Sequence, residues 1–229
     1  MKRRNFLNRT GMVAGTLLAG PTFFSSIRRA DPMSRVGLTT VVFRNKFSST
    51  NPDLTSDELT LNDIPQYFSE RFGIRNLEFW SEHFESREQA YLKDLKKSIQ
   101  KNNCKLINIQ ADTPGKDISN PENGNSALAV QEIKEWIDVG KFLGSKMVRA
   151  SFIHKSFEEG MKSMKLLIDY AKSQDMILLA ENHFDLLSIP ENHLELAQKM
   201  EGEGFGLLAD FGNYPENIDR YEALKMIAP

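Results

Sequence analysis

Apolar residues recur along this chain in two alternating rhythms, short β-branched or aliphatic runs bounded by turn formers and longer stretches with one apolar face at helical spacing. Residues 35–42 predict a first strand by their β-branched and apolar content. A polar loop follows over 45–56. Leu61, Ile64, Phe68 and Phe72 then share one helical face, with Pro65 in the first turn and Gly73 as the stop. The rhythm repeats with strands at 74–80, 105–110, 146–151, 176–181 and 205–210. Helical spacing marks 87–101, 129–143, 161–171, 190–200 and 217–227 between and after them, and Gly144 closes the third helix. The longer loop 111–125 carries the turn signals Pro114-Gly115 and Pro121.

Six strand–helix units at roughly thirty-residue spacing select a parallel sheet with helical cover. An open doubly wound sheet and a closed eight-stranded barrel both satisfy that alternation. The glycine fingerprint of a dinucleotide fold is absent after the first strand, which weakens the open sheet. A complete barrel takes about 250 residues. The expectation is therefore an α/β fold, a (β/α)8 TIM barrel present over 35–229 as about six units, with Pro229 ending a fragment or a truncated gene product.

Composition changes the picture mainly at the N-terminus. The 229 residues carry 29 Lys and Arg against 31 Asp and Glu, a formal charge of −2, with no long run of like charge. Such a balance offers no electrostatic footprint for nucleic acid. Lys2-Arg3-Arg4-Asn5-Phe6-Leu7 precedes an uncharged, mildly apolar stretch rich in Gly, Ala and Thr. Residues 1–30 therefore predict a twin-arginine export signal and a periplasmic destination. Gly15, Gly20 and Pro21 interrupt that stretch, so no stable membrane span is expected once the signal is cleaved. The single cysteine, Cys104, has no partner for an internal disulfide and predicts a half-buried, inert thiol.

Nearly every predicted strand ends in polar residues, and in a barrel the strand carboxyl ends carry the site. They include Glu78 and Trp80, Asn108 and Gln110, Arg149, Glu181 and His183, and Asp210 and Asn213. Glu181 and Asp210 each close a strongly apolar run, where a carboxylate is costly unless it works there. Two such acids on successive strand ends predict a metal site.

The ordered motifs Leu179-Ala180-Glu181-Asn182-His183 and Leu208-Ala209-Asp210-Phe211-Gly212-Asn213 resemble the xylose isomerase-like superfamily of sugar isomerases and epimerases, over roughly 35–229. The resemblance implies a divalent ion (Mn, Mg or Zn) held by a Glu of strand five, matched by Glu181, and an Asp of strand six, matched by Asp210. Its His and Glu from strands seven and eight would lie beyond Pro229. Where many such epimerases carry a histidine three residues after the Asp, this chain has Asn213, which can bond substrate but not bind metal as imidazole does. The implied mechanism moves a proton next to the carbonyl of a metal-bound sugar between two carboxylates. Glu181 matches one of them, and its partner is the strand-eight Glu, so the 229-residue form is expected to be inactive or impaired.

Each candidate also has a plainer reading. Glu181 and Asp210 could each belong to a salt bridge with a basic side chain at the rim. Arg149 could bind a substrate oxygen or pair with Glu78 or Glu181. Glu78 shares a strand face with Trp80, which could wall the sugar ring or pack in the core. Gln110 could hydrogen-bond substrate, and His183 could line the pocket or belong to a loop. Of the remaining histidines, His154 is placed to touch ligand because it follows strand four, and His193 is expected at the surface. The leading expectation is a metal-dependent sugar isomerase or epimerase with a small sugar-like substrate, no nucleic-acid partner and a homo-oligomeric assembly. A lyase or dehydratase of keto-sugars on the same scaffold, and a non-catalytic carbohydrate-binding barrel, are the alternatives.

Overall fold

A computed structural model describes residues 32–150, 153–202 and 204–227. Six parallel strands, β1 (Gly37–Thr39), β2 (Asn76–Trp80), β3 (Lys105–Gln110), β4 (Met147–Arg149), β5 (Ile177–Glu181) and β6 (Phe205–Leu208), lie side by side in chain order. Helices α1 (Ile64–Phe72), α2 (Gln89–Lys101), α3 (Asn125–Leu143), α4 (Phe157–Ser173), α5 (Pro190–Lys199) and α6 (Arg220–Ile227) follow the successive strands. Every strand therefore points the same way. That is the expected α/β alternation, with the barrel present in part, and the predicted signal segment 1–30 lies outside the described residues.

The core sits between sheet and helices. In β2, Leu77 and Phe79 are fully buried while Glu78 and Trp80, on the other face, are half-buried. Leu95 and Ile99 of α2, Ile133 and Ile137 of α3, and Met164 and Leu167 of α4 join the same apolar layer. The helix ends follow local chemistry. Gly73 and Gly144 take left-handed φ values of 69° and 92°, and their N–H groups close back on the carbonyls of Phe68 and Gly140.

Two expectations shift. The first strand is shorter than 35–42, because Thr39 caps a 3-10 segment, Thr40–Lys46, and the buried Thr40 hydroxyl accepts the Trp80 N–H at 3.0 Å. That bond holds the backbone against β2 by a side chain where a ladder would have continued. His193, expected at the surface, is fully buried on the inner face of α5 beside Leu196, one turn on. Cys104, expected half-buried, is buried, its thiol 3.4 Å from the Pro65 carbonyl and its pKa raised by burial. No described helix is long and apolar enough to cross a membrane.

Candidate functional site

Strand register arranges the polar strand ends in tiers. Glu78 stands opposite Asn108, and in the next tier Trp80, Gln110, Arg149 and Leu179 lie side by side across β2 to β5. Asn108 Nδ2 and Gln110 Nε2 each donate to the Glu78 carboxylate at 2.6 Å, one to each oxygen. Both oxygens of Glu78 are thereby engaged by these two amides.

Arg149 is instead the hub of the upper tier. It is among the largest fully buried side chains, at 2% exposure, and a buried guanidinium needs counter-charge. Its Nη1 donates to Asp112 Oδ1 at 2.5 Å, and its Nε lies 2.9 Å from Glu181 Oε2. The second contact is an ion pair without hydrogen-bond geometry, so Oε2, itself shielded from solvent, accepts no hydrogen bond among the described residues. Asp112 also accepts the Trp80 indole N–H at 2.7 Å, fixing the ring. Trp80, Asp112, Arg149 and Glu181 thus form one continuous chain of contacts. Asp112 lies two residues past the end of β3, in a stretch that reads as loop, and its one signal in the sequence is that short offset.

Glu181 is poised by opposing forces. Burial pushes its carboxyl up to about 7, the Arg149 guanidinium pulls it down, and the charges of Asp210, Glu78 and Asp112 add to the rise. Desolvation outweighs the ion pair because the carboxylate is almost completely removed from water. Asp210 follows the end of β6, where Leu208 pairs with Glu181. The fully buried Asn182 holds it there, its amide donating to the Asp210 carbonyl and accepting from the Asp210 N–H, both at 2.8 Å. Asp210 Oδ1 accepts the Gly212 N–H at 2.6 Å.

Other predicted residues surround this centre unequally. His183 is half-buried, its pKa lowered by burial and then by the Arg149 charge, and its ring meets Phe184 edge-on at 5.4 Å. Asn213 is buried in the loop after β6. His154 is exposed on the wall of a cleft of about 680 Å3 that also involves Thr50, Trp80, Glu82, Asp112 and Lys116. Glu181 and Asp210 are not on that wall. The cleft runs over the loops after β1 to β4, and Asp112 is shared between it and the Arg149 contact.

Glu181 and Asp210 are hard oxygen donors of the kind Mg and Mn prefer. Among the described residues, however, no group of three or more His, Cys, Asp or Glu is placed to hold a metal ion. Two carboxylates, one already facing a guanidinium, fall short of the roughly six donors such ions take. The described residues alone do not constitute a divalent-metal site.

Comparison with solved structures now decides the architecture. A xylose isomerase domain protein from Planctomyces limnophilus superposes with a TM-score of 0.62 at 15% identity, over 77% of this chain and 67% of its own. A D-psicose 3-epimerase solved in the presence of D-fructose gives 0.63 at 14%, over 75% and 65%. An L-ribulose 3-epimerase gives 0.64 at 17%, over 85% and 67%. The fold is the TIM barrel of these proteins, present in part. This chain spans about two thirds of the length of these barrels. No protein-family model and no characterised sequence matches it.

Proposed function

We propose that this chain is a sugar isomerase or epimerase in which Glu181 moves a proton at the carbon next to a carbonyl. The observation that carries the reading is the buried Glu181 carboxyl at the end of β5, pushed up to about 7 with Arg149 beside it. A base with a pKa near neutrality is populated in both forms at working pH, so it can take a proton and return it. As the C–H bond breaks, its electrons form the C=C of an enediolate and the carbonyl oxygen takes up negative charge. Arg149 supplies a fixed, desolvated cation for that charge. The sugar isomerases and epimerases that share the fold are consistent with this chemistry.

The finer expectations belong to the same proposal. Glu181 and Asp210 are the donors this chain offers to a divalent ion, and elemental analysis of the purified protein checks whether one is carried. Export by the twin-arginine route rests on Arg3-Arg4 and the weakly apolar stretch after them. Fusion of residues 1–35 to a folded reporter checks it, and a reporter that stays inside the cell overturns it.

The deciding experiment is solvent hydrogen exchange into ketohexoses and ketopentoses, read by NMR in D2O. Deuterium should appear next to the carbonyl with the wild-type chain, because exchange needs only the one base Glu181 where epimerisation needs two. Glu181→Gln should slow it by about 10²-fold or more. The second reading is a carbohydrate-binding barrel without catalysis. Sugar binding with no exchange above background would leave that reading standing and remove the first.

A further inference from the structure

The cleft beside Asp112 is the feature that proton transfer at Glu181 leaves unused. A single sugar ring with its reacting carbon at Glu181 does not occupy it, because Glu181 is not on the cleft wall. Yet the two are joined, since Asp112 lines the cleft with one carboxylate that also holds Arg149, and Arg149 faces Glu181. Asp112 also accepts the Trp80 indole N–H, and both residues line the cleft. Clefts of about 300–1,000 Å3 suit ligands of more than one ring, and 680 Å3 lies well within that range.

The wall also states what kind of second unit it takes. Trp80 offers an indole whose orientation is fixed by its N–H bond to Asp112, the rigid apolar surface on which a sugar ring packs. Glu82, on the short 3-10 turn after β2, is half-buried at the cleft and makes no hydrogen bond or ion pair among the described residues. Charge argues against a phosphate. Glu82, Asp112 and Asp117 stand on the wall with Lys116 and Lys155, and Lys116 is already held by Glu132 at 2.7 Å. A dianionic group would meet three carboxylates for one uncommitted lysine.

We infer that the cleft holds the second, uncharged sugar unit of a disaccharide or glycoside whose first unit reaches Glu181, with Trp80 as its platform and Glu82 as a hydroxyl partner. The inference rests on the proton-transfer reading only for which unit reacts. Burial, followed by the charges of Asp112 and Glu132, raises the pKa of Glu82, and its carboxylate oxygens can accept from sugar hydroxyls.

Calorimetric titration of the full chain with cellobiose, maltose and sucrose, against glucose, fructose and fructose 6-phosphate, tests it. At least one disaccharide should bind about tenfold more tightly than every monosaccharide and the phosphate. Trp80→Ala and Glu82→Ala should each weaken that disaccharide about tenfold, and Glu82→Ala should change monosaccharide binding by less than about twofold. Trp80 is built into the sheet, so Glu82→Ala, at a site with no bonds to lose, carries the test if Trp80→Ala does not fold. Equal or tighter binding of a monosaccharide or the phosphate, no disaccharide binding, or an unchanged disaccharide affinity in Glu82→Ala overturns the inference. Deuterium exchange into monosaccharides without disaccharide preference would sink the cleft assignment and keep the proton-transfer reading. Glu82-dependent disaccharide binding without exchange would do the reverse.

Discussion

Asn182 shows how a single side chain can do the work of a strand. β6 ends at Leu208, and the next ladder contact toward β5 is supplied by the Asn182 amide, which engages both the N–H and the carbonyl of Asp210. Both bonds are shielded, and leaving their backbone partners unmet costs more than the bonds themselves contribute. Asn182→Leu, which keeps the bulk and removes both groups, should lower stability by ~2–4 kcal/mol in urea unfolding. The Asp210 amide should also exchange with solvent faster, a readout that general loosening of the core would not confine to one residue. Unchanged protection at Asp210 would refute the role. The motif around Glu181 was readable as a strand end with a carboxylate, but the part played by Asn182 was not. Its partners lie 28 positions away on a backbone that sequence pattern leaves anonymous.

Among the elements, α4 shows packing overriding propensity. Gly160 lies in its first turns, where alanine would be favoured by about 1 kcal/mol on helix propensity alone. A Cβ there would come within 2.6 Å of Ile153 Cγ2 and 2.9 Å of its Cδ1, and Ile153 is fully buried. Gly160→Ala should therefore destabilise by ~1–3 kcal/mol through overpacking. Ile153→Ala, which removes the crowding atoms at the expense of a cavity, should abolish that effect: the double variant should be no less stable than Ile153→Ala alone, as a double-mutant cycle would show. Additive losses would mean that the two residues do not press on each other. Because His154 and Lys155 follow Ile153 directly onto the cleft wall, this close approach also sets where that wall stands. Elements of this kind were largely legible: β3 falls at 105–110 as read, and Gly73 and Gly144 stop their helices through left-handed backbone. Misreadings arose where side chains replaced backbone signals, as at Thr40 after β1. His193 reads as a surface residue because it stands near a helix start, and its inward place beside Leu196 is set by packing of α5 that the helix-start context does not carry. Asp112 and Glu82 escaped notice because both lie just beyond a strand end, where period carries no information.

For the molecule as a whole, buried titratable groups of opposite kind pull stability in opposite directions as pH changes. Three of the four histidines, His83, His183 and His193, have pKa values lowered mainly by burial, while burial raises the carboxyls of Glu181, Glu82 and Glu85. A lowered histidine contributes stability that is complete above its unfolded value and fades as pH falls toward the folded one; a raised carboxyl contributes stability that is complete below its unfolded value and fades as pH rises through the folded one. His83 moves from 6.5 to about 4, and Glu181 from 4.5 to about 7, so a simple pH scan of the wild type blends two nearly equal and opposite slopes. A variant separates them. His83 is stacked on Phe47 at 3.8 Å, with its ring nitrogens 3.0 and 3.2 Å from the hydroxyls of Thr40 and Thr50, an arrangement made for a neutral ring. Below about pH 6.5 the unfolded chain takes up a proton at this residue that the folded chain refuses until about pH 4, which takes up to ~3 kcal/mol from the wild type across that window. His83→Gln has no such proton to take. Its deficit relative to wild type, measured by urea unfolding, should be largest at pH 7.5 and shrink steadily as pH is lowered to 4.5. Parallel stability curves for the two proteins over that range would show that the buried imidazole is not the group that titrates, and would shift the acid sensitivity of this fold to His183 and His193.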